Sequence, residues 1–360
     1  MIISRTPYRI SFFGGGTDYE GWFKDNGGQV LSTTINHYCY LTYRLLPPFF
    51  DYHSRVLWSK IEEVQHNNEI IHPVVNAVLK LLNIETGVEV HHQGDLPGRS
   101  GLGTSSTFTV GMLNAAYNLS DHTPSKKQLA KEAIYVERNF LKEDGGIQDQ
   151  IAAAYGGFNH IKIDTKGDFE VIPVAASEKR FADLQSHLML FFTGLVRNSF
   201  EIAKEKSASV KDKYHELTAM SEMVDEAVNI LNSSSDLKDF GKLLHESWLM
   251  KKKLSNKVST DFIDSIYEKA IENGAIGGKV LGAGGGGFIL FFVPPENHQR
   301  ILDALKDLLY IPFNFEDTGA SIIFEYNNMY TRTSLTKRNY IHLKEFQQNN
   351  AINELIVNAG

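Results

Sequence analysis

The chain has 360 residues, of which 42% are hydrophobic and 22% charged, with a single cysteine, Cys39, and a net charge of −7. That length predicts two domains of a water-soluble globular protein, and the lone cysteine excludes a disulfide framework or a cysteine zinc site. The acidic balance speaks against a nucleic-acid binder, and no apolar run approaches the roughly 20 residues of a membrane span.

The N-terminal MIISRTPYRIS lacks the h-region and cleavage site of a signal peptide, so a cytoplasmic protein is expected. An enzyme and a soluble binding protein both fit these bulk properties. PYRISFFGGGTDY reads as a strand running into three glycines, Gly14, Gly15 and Gly16. Such glycines remove side chains where a backbone or ligand comes close. Thr17 and Asp18 follow with a hydroxyl and a carboxylate; Asp18 could accept from sugar hydroxyls or satisfy backbone N–H groups of a turn. Period two places Arg9 and Ser11 opposite Ile10 and Phe12, as a surface pair or as groups facing a site.

Residues 30–43 alternate as a strand, 74–82 have helical spacing, and Val88, Val90 and His92 alternate again. The strand then enters PGRSGLGTSS, residues 97–106, and Phe108, Met112, Ala115, Ala116 and Leu119 recur at helix period. From Gly98 the loop follows the phosphate-loop spacing, but Thr104 stands where that motif has lysine. A dinucleotide fingerprint fails as well, because Ser106 stands where its third glycine belongs. Strand, glycine loop and helix still present free backbone N–H groups to an anion. The hydroxyls of Thr104, Ser105 and Ser106 can cap the helix or ligate Mg²⁺. Arg99 could supply charge in place of the missing lysine.

Leu129, Ala133, Val136 and Phe140 predict one further helix, closed by the turn EDGG at 143–146. Glu137 lies roughly 60° from the centre of that apolar stripe, where a carboxylate needs a partner or a metal. Asp149 could orient or deprotonate a hydroxyl, or act as a helix N-cap. Residues 210–273 read as three helices, with N-caps at Asp236 and Thr260 and a stop at Gly274. KVLGAGGGGFILFFV then gives strand, glycine run, strand. Five glycines in six residues (282–287) carry an ordering cost that a ligand or the other domain's backbone must offset. A helix at 296–309 and strands IPFNF and ASIIFEY close the second domain, and residues 327–360 form an appendage.

Taken in order, PYRISFFGGGTDY, LPGRSGLGTSS and GGKVLGAGGGGF resemble the three motifs of the GHMP kinase family. The resemblance covers residues 1–326. It implies an α+β fold with a ribosomal protein S5 domain 2-like N-terminal domain (1–180) and a ferredoxin-like C-terminal domain (181–326), the active site lying between them. It implies an enzyme using ATP and Mg²⁺ on a small-molecule substrate, and charge and hydropathy already argue against a nucleic-acid or membrane partner. Pro97, Gly98, Arg99, Ser100, Gly101, Leu102, Gly103, Thr104, Ser105 and Ser106 would bind ATP, and Ser105 and Glu137 the metal. Asp149 matches the catalytic aspartate, and Arg9 the family's Lys or Arg near the catalytic centre. Gly15, Gly16, Thr17, Asp18, Gly284 and Gly285 would face the substrate. Galactokinases of the family read GEHTDY, whereas this chain reads GGGTDY, which leaves room for a bulkier sugar.

Within the family, GGGTDY together with FTGLVRNS (192–199) is most similar to the heptose 7-phosphate kinases, which implies transfer of the ATP γ-phosphate to an anomeric hydroxyl on the route to GDP-activated heptose for surface polysaccharides. A substrate phosphate would need a cation; Arg197 is the first candidate and Arg55 the second. Trp58 is an aromatic candidate for the adenine. L-fucose kinases are similar too, and a non-catalytic sensor or an ATP-dependent decarboxylase of the same fold are the rival classes.

Overall fold

The computed structural model describes residues 1–47, 49–120, 122–195 and 213–326. β1 (Ile2–Phe13), helix α1 (Glu20–Asn26) and the long β2 (Gly28–Leu45) come first. β3 (Ser54–Leu57), β4 (Ile61–Val64), α2 (Pro73–Leu81) and β5 (Val88–Gly94) follow. Helices α3 (Thr104–Asn118), α4 (Lys126–Tyr135) and α5 (Gln148–Tyr155) lead to β6 (Phe158–Ile163), β7 (Phe169–Pro173) and α6 (Glu178–Ser186). β1 is buried on both faces along its second half, which is why its alternation of apolar and polar residues is incomplete. One of those faces carries Arg9 and Ser11 into the interior.

The second part runs β8 (Leu188–Phe192), α7 (Tyr214–Asn232), α8 (Leu237–Leu254), α9 (Asp261–Glu272), β9 (Gly277–Val280), β10 (Phe288–Phe292), α10 (His298–Ala304) and β11 (Leu309–Ile311). Its sheet has the order β11-β8-β10-β9, the split β-α-β-β-α-β arrangement of ferredoxin-like domains. Asp236 and Thr260 cap α8 and α9 as expected, accepting from the N–H groups of Lys238 and Ile263.

The chain then turns back. β12 (Phe315–Glu316) pairs with β2, and β13 (Ser321–Glu325) with β1, giving a first sheet in the order β13-β1-β2-β5-β3-β4, with β6 and β7 alongside. The two last strands expected from sequence thus divide between the sheets: Ile311 of IPFNF pairs with β8 in the second sheet, whereas Phe315 and ASIIFEY join the first. ASIIFEY covers the edge of β1, a row of backbone groups that would otherwise be open to foreign strands. The helix expected at 296–309 is also shorter, because Leu309 already belongs to β11. Residues 327–360 lie outside the described residues.

The two sheets share one core. Phe240 of α8 meets Phe12 and Phe13 of β1 edge-on at 5.5 and 5.1 Å, and Lys279 of β9 donates to the Phe12 carbonyl at 2.6 Å. Glycines let the two parts approach backbone to backbone. A Cβ on Gly282 would lie 2.5 Å from Cα of Gly101, and Gly282 is left-handed at φ 63°. Gly287 repeats this against the Ser100 carbonyl, which accepts from Phe288 N at 3.1 Å. The glycine run thus packs on the backbone of the other loop, one of the two offsets its ordering cost required.

Gly282→Ala should therefore wedge the two loops apart. A left-handed alanine and overpacking against backbone together cost roughly 2–4 kcal/mol. A thermal melt is expected to show a drop of several degrees, and an unchanged melting temperature would contradict this packing.

Candidate active site

β1, the loop at 97–103 and α5 meet at one guanidinium. Arg9, 3% exposed, donates from Nε and Nη2 to the two Asp149 oxygens at 2.8 and 2.9 Å. Its Nη1 donates to the Gly101 carbonyl at 2.8 Å, and its backbone N–H to the Leu102 carbonyl at 3.1 Å. Bidentate pairing fixes both side chains in one plane. Asp149 sits in the first turn of α5, whose N-cap is Ile147, so its carboxylate is not a cap. Gly103 lies on top of the pair. A Cβ there would stand 3.3 Å from Arg9 Cγ and 3.4 Å from Asp149 Oδ2, in a left-handed backbone at φ 74°.

Gly103 is also the N-cap of α3, and among the described residues no side chain caps this end. The first-turn amides therefore lack a side-chain acceptor beside Arg9 and Asp149, an arrangement that suits an anion. The loop closes on itself instead: Arg99, left-handed at φ 58°, donates its N–H to Thr104 Oγ1 at 3.1 Å. Pro97, Gly98 and Arg99 are exposed, whereas Ser100 and Leu102 are buried.

The two hydroxyls that follow part company. Ser105 is exposed, while Ser106 is buried and donates to Glu137 Oε2 at 2.9 Å. The structure therefore brings Ser106, not Ser105, to Glu137. Gln150 Nε2 donates to the same oxygen, and among the described residues Glu137 Oε1 has no hydrogen-bond partner. Burial, then the nearby Glu143 carboxylate, pushes the Glu137 pKa up to about 8. The helix expected through Phe140 is not continuous. α4 ends at Tyr135 and Val136–Phe140 form a π-helical turn, a local widening frequent at functional sites. It turns Glu137 fully inward (4% exposed) and Phe140 out to 39% exposure, where a straight helix puts Phe140 in the core stripe.

On the other side of Asp149, Asp18 is 1% exposed. Its Oδ1 accepts from Gly16 N at 2.9 Å, and its Oδ2 from Gln148 N at 3.3 Å and Gln148 Nε2 at 3.0 Å. Burial raises its pKa despite these bonds, and the neighbouring Asp149 adds to the rise. Asp18 thus organises the first glycine turn and the start of α5, much as a turn aspartate would. Thr17 is fully buried, its hydroxyl bonded to Gly14 O at 2.9 Å and Gln29 O at 2.8 Å. It braces the turn, and this hydroxyl is taken up by backbone rather than presented to a substrate. Tyr19 was not singled out by sequence. Its phenol pKa is raised by burial and then by the charges of Asp18 and Asp149, with Arg9 opposing, which places it within the site's field. The signal was its place directly after Asp18.

The remaining candidates scatter. Gly284 and Gly285 pack on Val258, whose carbonyl accepts from Gly285 N at 2.8 Å. Arg55 pairs with Glu63 at 3.3 Å and Glu89 at 3.9 Å on the β3–β5 side of the sheet. Arg197 lies outside the described residues. Trp58 donates to Glu62 at 2.7 Å and meets His72 edge-on at 4.9 Å; His72 in turn stacks on Phe108 of α3 at 4.5 Å. Burial lowers the His72 pKa to about 4, so this ring is a neutral aromatic surface.

The sequence matches the GHMP kinases N terminal domain over residues 69–157 and the GHMP kinases C terminal over residues 220–311. It is 31% identical over 331 residues to a D-glycero-alpha-D-manno-heptose 7-phosphate kinase of Campylobacter jejuni, covering 88% of this chain and 97% of the relative. A bifunctional fucokinase/GDP-fucose pyrophosphorylase of Arabidopsis thaliana is 24% identical over 82% of this chain and 30% of its own length. The fold superposes with a TM-score of 0.75 on the crystal structure of a D-glycero-D-manno-heptose 1-phosphate kinase from Bacteroides thetaiotaomicron, at 26% identity over 91% of this chain and all of that one. On these matches the chain belongs to the GHMP kinase family, as a sugar kinase that transfers phosphate to a hydroxyl acceptor.

Proposed function

We propose that the protein transfers the γ-phosphate of ATP to the anomeric hydroxyl of D-glycero-D-manno-heptose 7-phosphate, supplying activated heptose for surface polysaccharide. The Arg9–Asp149 pair beneath Gly103, at the uncapped start of α3, carries the mechanistic reading. The near full-length likeness to the Campylobacter heptose 7-phosphate kinase supports the choice of sugar. The fucokinase likeness supports L-fucose as the second acceptor to test.

In this reading the ATP phosphates lie on the loop amides and the α3 start. Asp149 orients the acceptor hydroxyl and takes its proton, and an anomeric hydroxyl is acidic enough for a modest base. Arg9 holds Asp149 in place and its remaining N–H groups stabilise charge on the transferring group. The Mg²⁺ implied by the family suits Glu137. One carboxylate plus nucleotide phosphates is a usual magnesium environment, and a buried carboxylate with an unpartnered oxygen is stabilised by a cation. The exposed Ser105 hydroxyl at the start of α3 would serve on the nucleotide side, and Glu137, oriented by Ser106 and Gln150, would hold the ion. Bound there, it would neutralise phosphate charge. Among the described residues no group of three or more His, Cys, Asp or Glu forms a site independent of nucleotide. Among those residues no helix is long and apolar enough to cross a membrane.

Three outcomes follow. In a panel of heptose 7-phosphate, heptose, fucose, galactose and mannose, heptose 7-phosphate should give the highest kcat/KM; a uniform lack of turnover would revive the sensor class. Asp149→Asn should lower kcat by about 10²–10⁴ with ATP affinity nearly intact, while leaving buried Arg9 without its counter-charge and so lowering the melting temperature. Turnover at the wild-type rate in that variant would sink the assignment of Asp149. Glu137 has a folded pKa near 8, above its ordinary value of 4.5. Between those two values the folded state binds the extra proton, so metal-free stability falls as pH rises through this window. Glu137→Gln should flatten the fall in a pH series of melts, and an unaltered slope would contradict the buried carboxylate.

A further inference from the structure

The first glycine cluster contains one glycine that close packing does not explain. A Cβ on Gly14 would come within 2.0 Å of the Gln29 carbonyl, and one on Gly16 within 2.9 Å of Leu217. Gly15 differs. Among the described residues its nearest neighbours would be Gln148 Nε2 and Ser11 Oγ, both at 3.8 Å, and its φ is not positive. The fold would accept a methyl group there, so the space over Gly15 is open for another reason.

The two groups that border this space have hydrogen-bonding capacity to spare. Ser11, 6% exposed, lies on the same β1 face as Arg9, and its hydroxyl makes no hydrogen bond among the described residues. Gln148, 8% exposed, is held by Asp18 through its backbone N–H and Nε2, while its Oε1 is buried with no partner among the described residues. A buried amide oxygen left unpaired is costly unless a ligand supplies a donor. Gln148 also directly precedes Asp149 in the first turn of α5.

We propose that Ser11 Oγ and the Gln148 carboxamide, flanking the bare Cα of Gly15, form the recognition site for a second hydroxyl of the sugar, with Asp18 as the residue that positions Gln148. The site offers an acceptor-only oxygen, a hydroxyl, and the nearby carboxylates of Asp18 and Asp149. An acceptor-only oxygen beside a free hydroxyl suits the hydroxyl of a neutral polyol. The proposal rests on the sugar-kinase reading above.

The test uses the full chain with saturating ATP·Mg²⁺, the best sugar of the panel and its monodeoxy analogues. Gly15→Ala should melt like wild type and keep its KM for ATP, but raise the KM for the sugar at least tenfold, because the methyl group occupies the sugar's place. Wild type should reject one deoxy analogue by about ten- to a hundredfold in kcat/KM, the range for leaving a buried acceptor unpaired. Ser11→Ala and Gln148→Met should each abolish most of that discrimination for the same analogue, an effect a purely structural role would not produce. Wild-type sugar KM in Gly15→Ala, or undiminished discrimination in both other variants, overturns the proposal. Failure of wild type to phosphorylate any sugar removes the kinase reading and this proposal together, whereas turnover with unaltered discrimination removes the proposal alone.

Discussion

A buried guanidinium is the constraint around which the molecule is arranged. Withdrawing a cation from water costs several kcal/mol unless its N–H groups are answered by well-placed acceptors. Arg9 finds them on segments 92 and 140 residues away, in the Gly101 carbonyl and the Asp149 carboxylate. Meeting that demand brings the first strand, the anion loop and the reactive carboxylate to one point. It also explains why β1 cannot be apolar on both faces although both are buried: one face has to carry the cation.

The second constraint is steric. The anion loop is shaped from behind by the C-terminal glycine run, backbone against backbone, with Lys251 of α8 donating to the carbonyls of Val280 and Gly282 at 2.6 Å. Glycine at these positions permits the approach; the approach then limits the freedom that makes glycine costly to order. The C-terminal domain thus contributes to the loop's conformation through its backbone.

Much of this was legible in the sequence because the strongest signals are local. Periodicity located β2, α2, β5 and α3, and polar residues before apolar runs located the caps at Asp236 and Thr260. Three ordered glycine motifs carried the family, which neither the loop nor the carboxylates could do singly. What escaped depended on contacts distant along the chain. ASIIFEY has the same alternation whichever sheet receives it, and only the open edge of β1 decides. The π turn at Val136–Phe140 leaves no mark on a wheel drawn at 100° per residue, so Phe140 was misplaced in the core. Ser105 and Ser106 are chemically alike in sequence, and the turn of α3 alone determines which one reaches Glu137. Gln148 drew no notice because an amide beside a catalytic aspartate has no spacing signature.

The pairing of β13 with β1 has a consequence for how the protein is made. The ammonium of Met1 donates to the Tyr326 carbonyl at 2.6 Å, so the two ends of the described chain meet at one sheet edge. At ribosomal rates, roughly 15–60 s separate synthesis of β1 from that of its outer partner. Through that interval the nascent N-terminal sheet exposes an unpaired strand, the feature that most invites intermolecular pairing. The N-terminal sheet is therefore begun early and closed late, its outer edge covered only once residues 321–325 have emerged.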